Sequence, residues 1–137
     1  MKRVLCFFVL ISVVSSGFAE TWNDYINRTH ELTTKAQEYL RRSNYRTWSN
    51  DIWGALAAIY DWTSSAYEDI YKNAPDLSDY ERRIYRDMSI RAYGQFEDII
   101  RLSEIHFNGF RQWDYYIEPR YNIWFDHFNR GGTITFN

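Results

Sequence analysis

Cysteine is almost absent: the 137 residues contain one, Cys6, close to the start of the chain. From residue 20 onward there is no thiol, which excludes an internal disulfide, cysteine-ligated zinc and thiol nucleophiles from that part. Proline is nearly as scarce, with only Pro75 and Pro119, so little interrupts helical backbone. Long apolar runs are missing too, apart from Val4 to Val14. That run falls well short of the ~20 residues a membrane-spanning helix requires. Basic residues are outnumbered, with 16 Lys and Arg against 18 Asp and Glu. An acidic balance argues against nucleic acid or an anionic membrane surface as a partner.

The apolar run is preceded by Lys2 and Arg3 and followed by Gly17-Phe18-Ala19, with small residues at the −3 and −1 positions. This three-part layout predicts a cleavable signal peptide over 1–19, cut between Ala19 and Glu20, and export to the extracellular space or the periplasm. No transmembrane anchor is expected after cleavage. Residues 20–137 then form one domain, of the size that buries a single core without metal or cross-links.

Aromatic residues are abundant: 12 Tyr, 9 Phe and 6 Trp make up 20% of the chain. Each buried ring removes about 150–250 Å² from water, so rings can supply the stability that disulfides cannot.

Apolar residues recur at helical spacing almost throughout. Over 21–42, Trp22, Tyr25, Ile26, Thr29, Leu32, Ala36, Tyr39 and Leu40 share one face, with Thr21 as the expected N-cap. Over 51–73, a wide apolar face including Trp53, Leu56, Ile59, Tyr60 and Tyr67 is backed by Gly54, Ala55, Ala58 and Ser65. Small residues allow close approach, which predicts a central helix touched from two sides. Ser78-Asp79-Tyr80-Glu81 matches a capping box and opens a third long helix, ended by Asn108-Gly109. Its expected inward face includes Tyr80, Ile84, Tyr85, Met88, Ala92, Phe96 and Ile99. Asp87 with Arg91 and Glu97 with Arg101 are its expected i, i+4 ion pairs.

Phe110, Trp113, Tyr116 and Ile117 predict a short helix broken at Pro119, and Tyr121, Trp124, Phe125 and Phe128 a second one, ending at Gly131-Gly132. Residues 133–137 read as a flexible or extended tail. The expected fold is all-α: a small bundle of three long amphipathic helices plus two short C-terminal aromatic helices.

Catalytic and metal signatures are missing. His30-Glu31-Leu32-Thr33-Thr34 lacks the second histidine of the zinc-protease motif, and His30, His106 and His127 have no Glu-x-x-His partner. There is no Gly-x-Ser-x-Gly elbow and no glycine-rich phosphate loop. No metal and no cofactor is expected. Asn27-Arg28-Thr29 is a glycosylation sequon on the expected solvent face of the first helix.

The most distinctive feature is the aromatic C-terminal third, where Trp113, Tyr116, Tyr121 and Trp124 surround Pro119 with polar neighbours. Flat rings of this kind suit a sugar, a quaternary ammonium group or a protein hot spot. The expected function is non-catalytic binding of a protein or small-molecule ligand through these four residues. The alternative is a small hydrolase acting on extracellular or envelope polysaccharide through paired carboxylates drawn from Asp61, Glu68, Asp114 and Glu118. Ile90 and Ile105, on the charged side of the third helix, mark a candidate contact between subunits of a homo-oligomer.

Overall fold

The computed structural model describes residues 20–108 and 113–137. The leader read on residues 1–19, and Gly109 and Phe110, lie outside the described residues.

Among the described residues four α-helices make up the bundle: α1 (Trp22–Arg42), α2 (Asn50–Asn73), α3 (Asp79–Phe107) and α4 (Glu118–Asn129). A 3-10 turn, Tyr45–Thr47, joins α1 to α2, and a π-helical turn, Trp113–Ile117, leads into α4. No strand occurs among the described residues. The all-α bundle is therefore as the periodicity predicts.

The starts of the first three helices follow from local chemistry. Thr21 accepts from the Asp24 N–H at 3.1 Å and Ser49 from that of Ile52 at 3.2 Å. At α3 the capping box is complete: the Glu81 N–H donates to Ser78 Oγ at 3.1 Å, and the Ser78 N–H donates to Glu81 Oε1 at 3.0 Å. Asn108 ends α3 in the left-handed region at φ 62°.

The C-terminal elements differ from the expected pair of short helices. Pro119 does not break a helix; it sits in the first turn of α4, where a missing N–H costs nothing and the fixed φ suits helix entry. Among the described residues, the part of the expected first short helix from Trp113 to Ile117 is a π turn that runs straight into α4.

Helix α2 is the spine, and every residue from Trp53 to Tyr67 is buried. Two close approaches explain this. A Cβ on Gly54 would lie 2.7 Å from Arg120 Cβ and 2.8 Å from the Tyr121 backbone nitrogen, so only glycine lets α4 cross there. On the α3 side, Ser64 Oγ donates to the Ser89 carbonyl at 2.9 Å while Ser89 Oγ donates to the Ser64 carbonyl at 2.8 Å. Arg82 closes the α2–α3 hairpin by donating to the Tyr71 and Ala74 carbonyls at 2.8 and 2.9 Å, which satisfies the end of α2.

The buried stripe of α3 is Ser89, Ala92, Phe96, Ile99 and Ser103. Tyr80 and Ile84, expected inward, are exposed. The physical reason is that polar residues hold part of this stripe: Ser89 and Ser103 bury their hydroxyls by donating to main-chain carbonyls, so small size decides the contact and hydropathy does not. The tail is packed: Ile134 is buried, Lys35 donates to its carbonyl at 2.8 Å, and Phe136 stacks on Tyr39 with centroids 4.5 Å apart.

Candidate functional site

α1 and α3 lie on α2 side by side and leave between them a cleft of about 560 Å³, within the ~300–1,000 Å³ range usual for small-molecule sites. Its floor is made by Tyr60 and Tyr67, one face of α2 two turns apart. The α1 wall carries Thr33, Gln37, Leu40 and Arg41, spaced i, i+4, i+7, i+8. The α3 wall carries Met88, Arg91, Ala92 and Gln95, spaced i, i+3, i+4, i+7. Each wall thus mixes apolar contact with amide or guanidinium groups. None of the lining residues is acidic, although the chain as a whole is.

Arg41 and Arg91 are exposed and take part in no ion pair among the described residues. The expected Asp87–Arg91 pair is not formed, and Arg91 lines the cleft. Arg101 pairs with Asp98 and not with Glu97. Beneath these cations, Tyr60 is 2% exposed and its hydroxyl has no hydrogen-bond partner among the described residues. Burial raises this phenol far above its usual range, so it stays protonated and remains a donor.

Tyr67 is tied down. Its hydroxyl lies 2.8 Å from His30 Nδ1 and 3.4 Å from Thr33 Oγ1, and Thr33 Oγ1 donates to the Thr29 carbonyl at 2.9 Å. Tyr85 stacks on the Tyr67 ring at 6.2 Å and sits 5.8 Å from the His30 ring. Burial pushes the Tyr67 phenol up to about 12 and lowers the His30 pKa below its ordinary value. A neutral imidazole accepting from a phenol is the consistent arrangement.

The four aromatic residues expected to form the site are divided between core and surface. Trp113 and Tyr121 are buried core residues with ring centroids 6.0 Å apart. The Tyr121 hydroxyl donates to Asp61 Oδ2 inside the bundle. Tyr116 is exposed, beside the exposed Tyr115, and Trp124 is half-buried with its Nε1 donating to Asp51 Oδ1 at 3.0 Å. Of the four, Tyr116 and Trp124 alone present ring surface. Asn27 is exposed on α1, and Ile90 and Ile105 are exposed on α3.

The carboxylates considered for hydrolysis are also spread out. Asp61 is completely buried beneath Tyr121, Glu68 pairs with Lys72 at 3.1 Å, Asp114 is exposed and Glu118 lies in the first turn of α4. Among the described residues no three His, Cys, Asp or Glu side chains converge to hold a metal ion, and no helix is long and apolar enough to cross a membrane.

The cleft escapes the periodicity because each wall combines stripe residues, Leu40 on α1 and Met88 and Ala92 on α3, with polar residues beside the stripe. Gln37 and Arg41 flank the α1 stripe, as Arg91 and Gln95 flank that of α3. The available signal is two arginines near buried alanines, Arg41 five positions after Ala36 and Arg91 next to Ala92, where a short side chain leaves room. The fold and its cleft define an all-helical protein with an amphipathic groove. No family model matches the chain, and no curated protein or solved structure matches it.

Proposed function

We propose that this is an exported, non-catalytic binding protein that takes a small organic ligand in the cleft between α1 and α3. The observation that carries the reading is the 560 Å³ cleft floored by two buried tyrosines, one of them with an unpaired hydroxyl. Unpaired buried donors are uncommon in stable folds and cost stability unless something completes them. The leader-like residues 1–19 support export. The buried position of Asp61 and the pairing of Glu68 leave the hydrolase alternative without a supporting arrangement of carboxylates.

A second reading keeps a protein partner on the C-terminal surface. It rests on the exposed neighbours Tyr115 and Tyr116, 74% and 49% exposed, together with Ile123 at 69%. Rings of this kind on a rim are common anchors of protein contacts.

Amide chemical shifts of the purified protein, titrated with a library of small organic fragments, separate the two. Cleft binding predicts shifts around Thr33, Tyr60, Tyr67 and Ala92 that disappear in Gln95→Trp, whose indole would fill the mouth. Shifts confined to 115–123, or no saturable shifts at all, would overturn the cleft reading.

A further inference from the structure

We infer that the cleft selects a small organic anion: a single carboxylate on an apolar tail or ring. The inference rests on the cleft being a ligand site, and adds which chemistry it accepts.

Charge points to an anion. The chain carries more acidic than basic residues, yet the cleft is lined by two arginines and no carboxylate. Both guanidinium groups are free of ion pairs among the described residues, one from each wall. Other arginines, among them Arg42, Arg46, Arg83 and Arg86, also stand outside the ion pairs among the described residues; what sets Arg41 and Arg91 apart is that they face one cavity that carries no carboxylate, which concentrates positive potential there. Guanidinium matches the planar, two-oxygen geometry of a carboxylate.

The hydrogen-bonding groups point the same way. The Tyr60 hydroxyl is a buried donor without a partner. The guanidinium groups donate and cannot accept, which calls for an acceptor-rich ligand group; the Tyr60 hydroxyl, closed off from solvent at the cleft floor, adds its donor only to a group that parts the side chains over it. A carboxylate accepts and does not donate.

The apolar remainder of the lining calls for an organic body. Leu40, Met88, Ala92 and the tyrosine rings would be left uncovered by an inorganic anion. An apolar body attached to the carboxylate covers them, and the methionine can adapt to its outline.

The test compares decanoate, decanol and decylammonium on the full-length purified protein, with Kd from calorimetry and location from amide shifts. The expected order is decanoate tightest, by about tenfold or more over decanol, with decylammonium weakest. Arg41→Gln with Arg91→Gln should bring decanoate to the level of decanol without altering helical content, since both residues are exposed. Tyr60→Phe should weaken decanoate severalfold more than decanol while leaving the unliganded protein at least as stable as before, a combination that a merely structural hydroxyl would not give. Decanol binding as tightly as decanoate with shifts at the cleft would overturn the anion inference and leave the cleft reading standing. Absence of decanoate binding would also overturn it. Shifts from all three compounds located away from the cleft would remove both.

Discussion

Single atoms in the core have opposite roles in this protein. Tyr60 and Tyr121 are both buried, at 2% and 4% exposure, and both phenols are raised by burial. The Tyr121 hydroxyl donates to the buried Asp61 carboxylate, whereas the Tyr60 hydroxyl has no partner among the described residues. Tyr121→Phe should therefore cost about 1–3 kcal/mol, the usual penalty for taking a donor from a buried group, while Tyr60→Phe should be neutral or stabilise by up to ~1 kcal/mol. Urea unfolding of the two variants checks this, and equal losses would show that the two hydroxyls are equivalent. His30 makes a second residue-level prediction. Burial lowers its pKa in the folded state, so between that lowered value and the ordinary 6.5 the unfolded chain binds more protons. Its contribution to stability is present above pH 6.5 and is lost as pH falls below it. Protonation would also turn Nδ1 into a donor, so Tyr67 could no longer donate to it and its proton would turn to Thr33. An NMR titration should find the His30 ring titrating below its unfolded-state value, and His30→Gln should flatten the stability profile just below pH 6.5.

At the scale of the element, Gly54 decides whether α4 docks. Alanine at an exposed helical site gains about 0.5–1 kcal/mol over glycine. At Gly54 the added Cβ would meet Arg120 Cβ at 2.7 Å and the Tyr121 backbone nitrogen at 2.8 Å, neither of which is the movable end of a side chain. Overpacking of this kind costs about 1–3 kcal/mol. Gly54→Ala should be net destabilising, with hydrogen exchange rising in α4 before α2 and α3. Gly94→Ala, with nothing within 4 Å of its Cβ, should instead stabilise by about 0.5–1 kcal/mol. The elements were legible where signals were local and chemical: Ser78 with Glu81 fixes the start of α3, and the small face of α2 with Gly54 announces a helix contacted from two sides. They were misread where a residue's role depends on a neighbour remote in sequence. Pro119 looked like a break because a first-turn proline and a terminating one differ only in what precedes them. Tyr121 reads from sequence as one of the four binding candidates; that it sits in the core depends on its acceptor, Asp61, 60 positions away. The cleft was invisible for the same reason, since its walls come from two helices separated by the whole of α2.

On the scale of the whole molecule, the two ends of the described chain are fastened to its middle without a cross-link. Arg28, only 8% exposed, holds both Glu20 carboxylate oxygens at 2.9 and 3.1 Å, donates to the Phe128 carbonyl at 2.8 Å and lies over the Trp62 ring at 4.7 Å. One guanidinium thereby joins the segment leading into α1, the end of α4 and the side of α2. Further on, the Thr133 carbonyl lies 2.7 Å from His127 Nε2, and Phe136 rests on Tyr39 at 4.5 Å. In a domain without disulfides this clasp limits fraying at both ends. Glu20 is also the residue that the proposed cleavage after Ala19 would leave first, so the leader would be cut as close to the fold as the clasp permits. A chain beginning at Thr21 should therefore be less stable than one beginning at Glu20 by about 2–4 kcal/mol, because Arg28 would keep a buried charge without its carboxylate. Adding Arg28→Met to the Thr21 chain should recover part of that loss, since an apolar side chain of similar length needs no counter-charge at that site. Equal unfolding midpoints for the Glu20 and Thr21 chains would show that the Glu20–Arg28 contact contributes nothing to holding the ends together.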